Sequence, residues 1–183
     1  QVRKKENRIY SDDEIKLLPY ASKINPHKSE WDLRTRSFMR FKEYLSHKKT
    51  KLNILDLGCG NCWLTGQLSK EFDHNYFCVD INLAELEQAA RVFDNENISF
   101  IYADIFKTSL SANTFDLVII NSALQYFQNI SMLMKELFFI SKTYGEVHII
   151  DTPFYHPNEI MAAKNRTLKY YSSIGYSVMA SKY

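Results

Sequence analysis

Short apolar runs alternate with stretches of helical periodicity through the second two thirds of the chain. The runs predict five strands, at Leu52–Leu57, Tyr76–Val79, Ile98–Tyr102, Phe115–Asn121 and Glu146–Asp151. Helical periodicity lies between most of them, at Cys62–Phe72, Leu83–Phe93 and Ile130–Lys142. The strands are apolar along most of their length, as in a parallel sheet that is covered on both faces. The pattern predicts an α/β fold with a doubly wound, mostly parallel sheet.

The first fifty residues have a different pattern. Ser11 and Glu14 form the capping box of a short helix, and helical spacing from Ser29 to His47 predicts a longer one. We therefore predict a helical lid or cover over residues 1–50 and a ligand-binding domain over residues 51–183. A last helix is expected from about Asn158 to Ser173.

Composition limits the function classes. The chain has 183 residues, of which 45% are hydrophobic, and its 23 basic and 21 acidic residues give a formal net charge of +2. This composition excludes a disordered chain and argues against a nucleic-acid scaffold that depends on many phosphate contacts. No run of 18 apolar residues predicts a membrane span. Three cysteines do not make a disulfide framework, so we expect a cytoplasmic protein.

A glycine turn carries the candidate chemistry. Asp56 near the end of the first strand is followed by Gly58 and Gly60 and then by a helix. Glycines permit a tight turn and a close approach of the backbone to a ligand. A nicotinamide dinucleotide site would need a third glycine where Trp63 stands, and the phosphate-binding G-K-[ST] pattern is missing from the turn.

Four segments in this order resemble the class I S-adenosylmethionine-dependent methyltransferases. Asp56–Gly60 matches the first motif of the family, with Cys62 in place of a third glycine, and Asp80 matches the acid that binds ribose hydroxyls. Asp104 matches the acid that contacts the adenine amino group, with Ile105 against the base, and Asn121 ends the strand beside the methionine part. The resemblance implies S-adenosylmethionine as cofactor. The residues expected to bind it are Asp56, Gly58, Cys59, Gly60, Asp80, Ile81, Asp104, Ile105, Asn121 and Ser122.

The C-terminal region adds two expectations. Asp151–Tyr155, with Met161 downstream, resembles a type-11-like subgroup of small bacterial methyltransferases of poorly defined substrate. Family sheets ordinarily close with a sixth strand and an antiparallel seventh, and too few residues follow Val178 for both. We therefore expect those strands to be missing from this chain.

The acceptor is less constrained by sequence. Tyr20, Tyr126, Tyr155 and His156 are candidates to line its pocket, although ordinary packing explains tyrosines equally well. No catalytic residue is assigned, because transfer to nitrogen or a carbanion does not require the base that a hydroxyl acceptor needs. We expect a small-molecule acceptor and no nucleic-acid partner. The alternatives are an RNA or protein methyltransferase and a non-catalytic nucleotide-binding protein of the same fold.

Cys59 and Cys62 form a C-x-x-C pair. A metal site would need more ligands, and Cys78 is the remaining thiol. The sequence therefore favours small residues within the glycine turn and predicts no metal site.

Overall fold

The computed structural model describes residues 2–182, with side chains described through residue 180; the outermost residues of the two predicted domains, Gln1 and Tyr183, lie outside this range. A five-stranded sheet forms the centre. Its strands are β1 (Asn53–Leu57), β2 (Asn75–Asp80), β3 (Ile98–Tyr102), β4 (Phe115–Asn121) and β5 (Ser141–Ile150). Their order across the sheet is β3-β2-β1-β4-β5, and every neighbouring pair is parallel. The predicted doubly wound parallel sheet is confirmed.

Helices precede the sheet and connect its strands. They are α1 (Val2–Lys5), α2 (Asp12–Leu17), α3 (Lys28–Ser46), α4 (Trp63–Leu68), α5 (Leu83–Val92), α6 (Ile130–Ile140) and α7 (Ile160–Ser173). The predicted capping box of α2 is present: the Ser11 hydroxyl accepts the Glu14 amide, and the Glu14 carboxylate accepts the Ser11 amide. Short 3-10 turns lie at Leu124–Tyr126, Pro157–Glu159 and Ser177–Lys182.

Alternate strand residues bury the two faces of the sheet. Ile54 packs in a cluster with side chains of α3, α4 and α5, whereas Leu55 and Leu57 pack with side chains of α6. Each Å² of apolar surface buried in these two layers contributes about 25 cal/mol of stabilising free energy. Burial on both faces explains why the strands are apolar throughout.

Several boundaries differ from prediction, and α4 ends at Leu68 rather than at Phe72. The sixth helix ends at Ile140, and β5 begins at once at Ser141, five residues before the predicted Glu146. The early part of β5 is held by pairing of Phe115 with Ser141, and a register irregularity separates it from the regular ladder that begins at Leu117 and Glu146. This pairing is a tertiary contact, and the polar sequence of residues 141–145 does not predict a strand there. Residues 151–182 add no strand to the sheet.

Within residues 2–182, no helix combines the length and the apolarity needed to cross a membrane.

Candidate functional site

The candidate acids lie at one edge of the sheet. Because all five strands are parallel, their carboxyl ends meet at the same edge, which we call the carboxyl edge. Asp56 is the fourth residue of β1, Asp80 ends β2, and Asp104 lies two residues after β3. The topology therefore places these three carboxyl groups at a common edge of the sheet.

The glycine turn after β1 is closely packed. Gly58 has a φ of +74°, and its amide donates to the Val79 carbonyl at 2.8 Å. A Cβ atom added at Gly58 would lie 2.6 Å from the Cβ of Ala123, in the loop after β4. A side chain is therefore excluded at Gly58 both by the backbone conformation and by the neighbouring loop.

Asp80 fastens this turn to β2. One of its carboxylate oxygens accepts the Gly60 amide at 2.7 Å, and the other accepts the Asn82 amide at 2.7 Å. A carboxylate has about four acceptor positions, so two amides leave capacity for two hydroxyl donors. Asp80 thus holds the loop in place and still has the chemistry expected of a ribose-binding acid.

Asp56 is buried, with 1% of its surface exposed. One carboxylate oxygen accepts the Thr65 hydroxyl at 2.5 Å, and the other, Oδ1, has no partner among the described residues. Burial, reinforced by the neighbouring Cys78 thiol, raises the pKa of Asp56 well above its usual value. An unpaired buried oxygen is costly, so this position favours a donor from a bound molecule.

The ends of β4 and β5 have three further buried acceptors without a partner among residues 2–182. They are Oδ1 of Asn121, Oε1 of Gln125 and Oδ2 of Asp151. Ser122 and Asp151 also both have a φ of +52°, which costs a non-glycine residue about 1–3 kcal/mol. Backbone strain and unpaired acceptors therefore occur together at this part of the carboxyl edge.

Asp104, Ile81 and Ile105 lie at the same edge in different settings. Asp104 accepts the amide of Phe106 at 3.0 Å and lies 3.4 Å from the ammonium of Lys107, so its carboxylate is partly used within its own loop. Ile81 is 70% exposed and offers apolar surface beside Asp80, whereas Ile105 is only 4% exposed and packs in the core. Contact of Ile105 with adenine stays a prediction, with Ile81 the more accessible of the two.

The four predicted acceptor residues do not form one cluster of contacts. Tyr126 and Tyr155 are half exposed in the segments after β4 and β5, and His156 is exposed beside Tyr155. Tyr20 instead lies against α3, where its hydroxyl is 3.6 Å from the sulfur of Met39. Their role in acceptor binding stays a prediction.

The N-terminal segment is attached to the helices that follow β1 and β2. The side-chain amide of Gln67 in α4 donates to the carbonyls of Lys16 and Leu18 at 2.8 and 2.7 Å. Gln88 in α5 donates to the carbonyl of Tyr10 at 2.9 Å. Trp63 is 6% exposed and packs edge-on against the ring of Trp31 in α3, so its indole belongs to this interface.

The three cysteines lie together beneath the glycine turn. The Sγ atoms of Cys59, Cys62 and Cys78 are all within 4.8 Å of one another, and none is in a disulfide. Burial raises the pKa of the Cys59 and Cys62 thiols. Burial alone would also raise the pKa of Cys78, but hydrogen bonds from the other two thiols outweigh it and lower that pKa. The Cys59 side chain therefore belongs to this cluster. Any contact of Cys59 with a cofactor would come from its backbone.

Comparison with known proteins decides the family. A family model described as a methyltransferase domain matches residues 54–145, which is half of the chain. The chain belongs to the class I S-adenosylmethionine-dependent methyltransferases. The match covers β1 to β4 and the first residues of β5, and so includes the glycine turn, Asp80, Asp104 and Asn121.

Individual members of the methyltransferase family support this assignment. A malonyl-[acyl-carrier protein] O-methyltransferase of Acetivibrio thermocellus is 33% identical over 90 residues, 49% of this chain and 31% of the relative. A sterol 24-C-methyltransferase of Aspergillus fumigatus is 26% identical over 117 residues, 60% of this chain and 31% of the relative. The chain thus spans about a third of the length of these curated relatives.

A solved structure shows the same fold. An S-adenosylmethionine-dependent methyltransferase of Aquifex aeolicus superposes with a TM-score of 0.56 at 16% identity, covering 91% of this chain and 89% of that one. The methyltransferase fold is therefore shared over nearly all of the chain.

Sequence reasoning missed two groups at the site. Gln125 and Asp151 were not predicted as cofactor residues, although both follow strands and Asp151 ends the last predicted strand. Cys78 was considered as a further thiol for the C-x-x-C pair, but no contact with that pair was predicted. Its distance from that pair along the chain hides their contact, which follows from the pairing of Asp56 in β1 with Cys78 in β2.

Proposed function

We propose that this chain is the cofactor-binding domain of a methyltransferase that acts on a small-molecule acceptor. The observation that carries the proposal is the set of four buried oxygens without a partner among the described residues, gathered at the carboxyl edge. They belong to Asp56, Asn121, Gln125 and Asp151. Nucleoside hydroxyls and an ammonium group are the donors that such acceptors require.

The residues fit S-adenosylmethionine in a defined arrangement. Asp80 would accept the ribose hydroxyls, Asp104 the adenine amino group, and Ile81 with Ile105 would flank the base. The glycine turn, which has no side chain at Gly58 or Gly60, would let the methionine part approach the backbone, and the polar groups of Asn121 and Ser122 would hold it. When bound, the cofactor supplies an electrophilic methyl group on a positively charged sulfur.

The chain's own contribution is orientation and exclusion of water. Methyl transfer from a sulfonium needs the acceptor about 3 Å from the methyl carbon and in line with the sulfur. The N-terminal helices, attached through Gln67 and Gln88, would cover the site and Tyr20 would approach from that side. Tyr126, Tyr155 and His156 would bound the acceptor after β4 and β5. The division into a cover over residues 1–50 and a domain from residue 51 is part of this proposal.

The acceptor atom is not assigned. The relatives include one that methylates oxygen and one that methylates carbon, so their names do not select a chemistry for this chain. The type-11-like subgroup and its bacterial origin stay predictions. A cytoplasmic location is also part of the proposal and is supported by three free thiols.

Titration calorimetry tests the proposal. The intact protein should bind S-adenosylhomocysteine with one-to-one stoichiometry and give no heat with NAD. Binding of NAD without S-adenosylhomocysteine would contradict the cofactor assignment. RNA binding that weakens steeply with salt would instead support the alternative of an RNA methyltransferase.

A further inference from the structure

The three clustered thiols are not used by the proposed methyl transfer. Cys59 follows Gly58 in the turn, Cys62 precedes α4, and Cys78 lies in β2. Cys62 and Cys78 have no exposed surface, whereas Cys59 is half-buried. The three sulfur atoms therefore come from three different segments of the chain and lie together. The cluster is accessible to solvent on the side of Cys59.

The spacing of the sulfurs suits a metal ion. In a tetrahedral zinc site with Zn–S bonds of about 2.3 Å, the sulfurs lie about 3.8 Å apart. The sulfurs of this cluster lie within 4.8 Å of one another, so inward movements of less than about 1 Å reach that geometry. A disulfide would join two of the three sulfurs and leave the third unmatched, whereas a metal ion uses all three.

The fourth position of such a site lies on the solvent side of the cluster. Asp56 pairs with Cys78 across β1 and β2, but its carboxylate is not among the donor atoms that lie within 4.8 Å of one another. Because Cys59 is half-buried, a water molecule from solvent can complete the tetrahedron. Zinc then offsets two of the three thiolate charges.

We propose that Cys59, Cys62 and Cys78 bind a zinc ion beneath the glycine turn, with a water molecule from the solvent side as the fourth ligand. On binding, each thiol forms a bond to zinc through sulfur and releases its proton to solvent. The ion joins the turn after β1 to the neighbouring strand β2. Zinc here is structural, and it stabilises the loop that carries Gly58 and Gly60 after β1.

Metal titration of the reduced full-length protein tests this directly. Cobalt(II), used as a spectroscopic substitute, should bind in one equivalent, produce the visible bands of a tetrahedral site, and be displaced by one equivalent of zinc. Zinc should also raise the melting temperature, because a ligand that binds only the folded protein stabilises it. No visible bands and no zinc-dependent shift would overturn the proposal.

Two variants assign the ligands. Cys59→Ser, at the half-buried position, should weaken zinc binding by at least about 100-fold and remove about a third of the sulfur-to-cobalt charge-transfer absorption. The matched control His47→Ala removes an exposed histidine that could bind metal adventitiously and should change neither quantity. Equal affinity in Cys59→Ser and the unaltered protein would contradict a three-thiolate site.

A measurement on the unaltered protein covers the case in which the variant does not fold. Alkylation by iodoacetamide should modify the half-buried Cys59 in the presence of a chelator and should not modify it with one equivalent of zinc. Equal modification of Cys59 in both conditions would overturn the proposal. Tight binding of copper(I) without zinc protection would overturn it as well. Neither result depends on methyltransferase activity, so failure here leaves the proposed function standing.

Discussion

Acidic side chains at the two edges of the sheet differ in how completely the chain itself pairs them. At the amino edge, where the strands begin, Asp116 accepts the Asn53 amide at 2.8 Å and pairs with the Lys142 ammonium at 2.8 Å. Glu146 likewise pairs with Lys48 at 2.7 Å. At the carboxyl edge, oxygens of Asp56 and Asp151 are buried without a partner among residues 2–182.

Unpaired atoms at the amino edge are of another kind. There, Nε2 of His74 and the hydroxyl of Ser141 are buried without a described partner, but both groups are neutral. Burial lowers the pKa of His74, which keeps its ring uncharged. The comparison teaches that acids at the amino edge are neutralised by lysines of the chain, whereas at the carboxyl edge Asp56 and Asp151 each keep a buried oxygen for which the described residues supply no donor.

The largest effect is expected at Gly58. Gly58→Ala adds a Cβ at a φ of +74° and 2.6 Å from Ala123, so the free energy of unfolding should fall by about 3 kcal/mol. Gly175→Ala is the matched control, because its φ is +80° but the nearest atom, on Lys5, is 3.6 Å away. That variant should lose about 1 kcal/mol. Urea unfolding measures both, and equal losses would show that the Ala123 loop does not constrain the turn.

A smaller effect on stability, with a clear effect on binding, is expected at Asp80. Asp80→Ala removes the acceptor of two backbone amides, so stability should fall by roughly 2 kcal/mol. Affinity for S-adenosylhomocysteine should fall by about tenfold to 100-fold, since a ribose acceptor is lost.

The amino edge supplies the control for that variant. Asp116→Ala also removes an acceptor of a backbone amide and should lower stability while leaving the affinity unchanged. If calorimetry finds the same loss of affinity in both variants, the contrast between the edges is wrong.

The smallest effect concerns acid stability. Burial would raise the pKa of Glu146, but hydrogen bonds from Lys48, Tyr44 and His148 outweigh it and lower that pKa to about 2. A depressed pKa stabilises the fold above the unfolded value of about 4.3, and this contribution is lost as the pH falls toward 2. The side chain is 39% exposed, so the effect should be less than about 1 kcal/mol. Unfolding of Glu146→Gln at pH 7 and pH 3 should show a shallower acid decline than the unaltered protein, and an identical decline would contradict the assignment.

The sheet could be predicted because its strands carry a strong local signal. Apolar runs located β1 to β4 within a residue of their observed ends, and parallel order then placed Asp56 and Asp80 at one edge. The start of β5 could not be predicted, because Ser141 is recruited by pairing with Phe115 rather than by its own hydrophobicity.

The site was predictable only where strand ends define it. Asp80 could be assigned from its position, but its bonds to Gly60 and Asn82 depend on the loop conformation. The contact of Cys78 with the C-x-x-C pair depends on strand register, and the unpaired oxygens of Gln125 and Asp151 depend on side-chain packing. None of these is encoded in local periodicity.

The two amide bonds that Asp80 accepts have a consequence for recognition. These two hydrogen bonds already exist in the free protein. A nucleoside that binds there therefore does not have to order the loop. The entropy cost of ordering that loop is part of the free energy of folding, so it does not weaken binding. Association should therefore proceed in a single kinetic phase whose rate rises in proportion to ligand concentration.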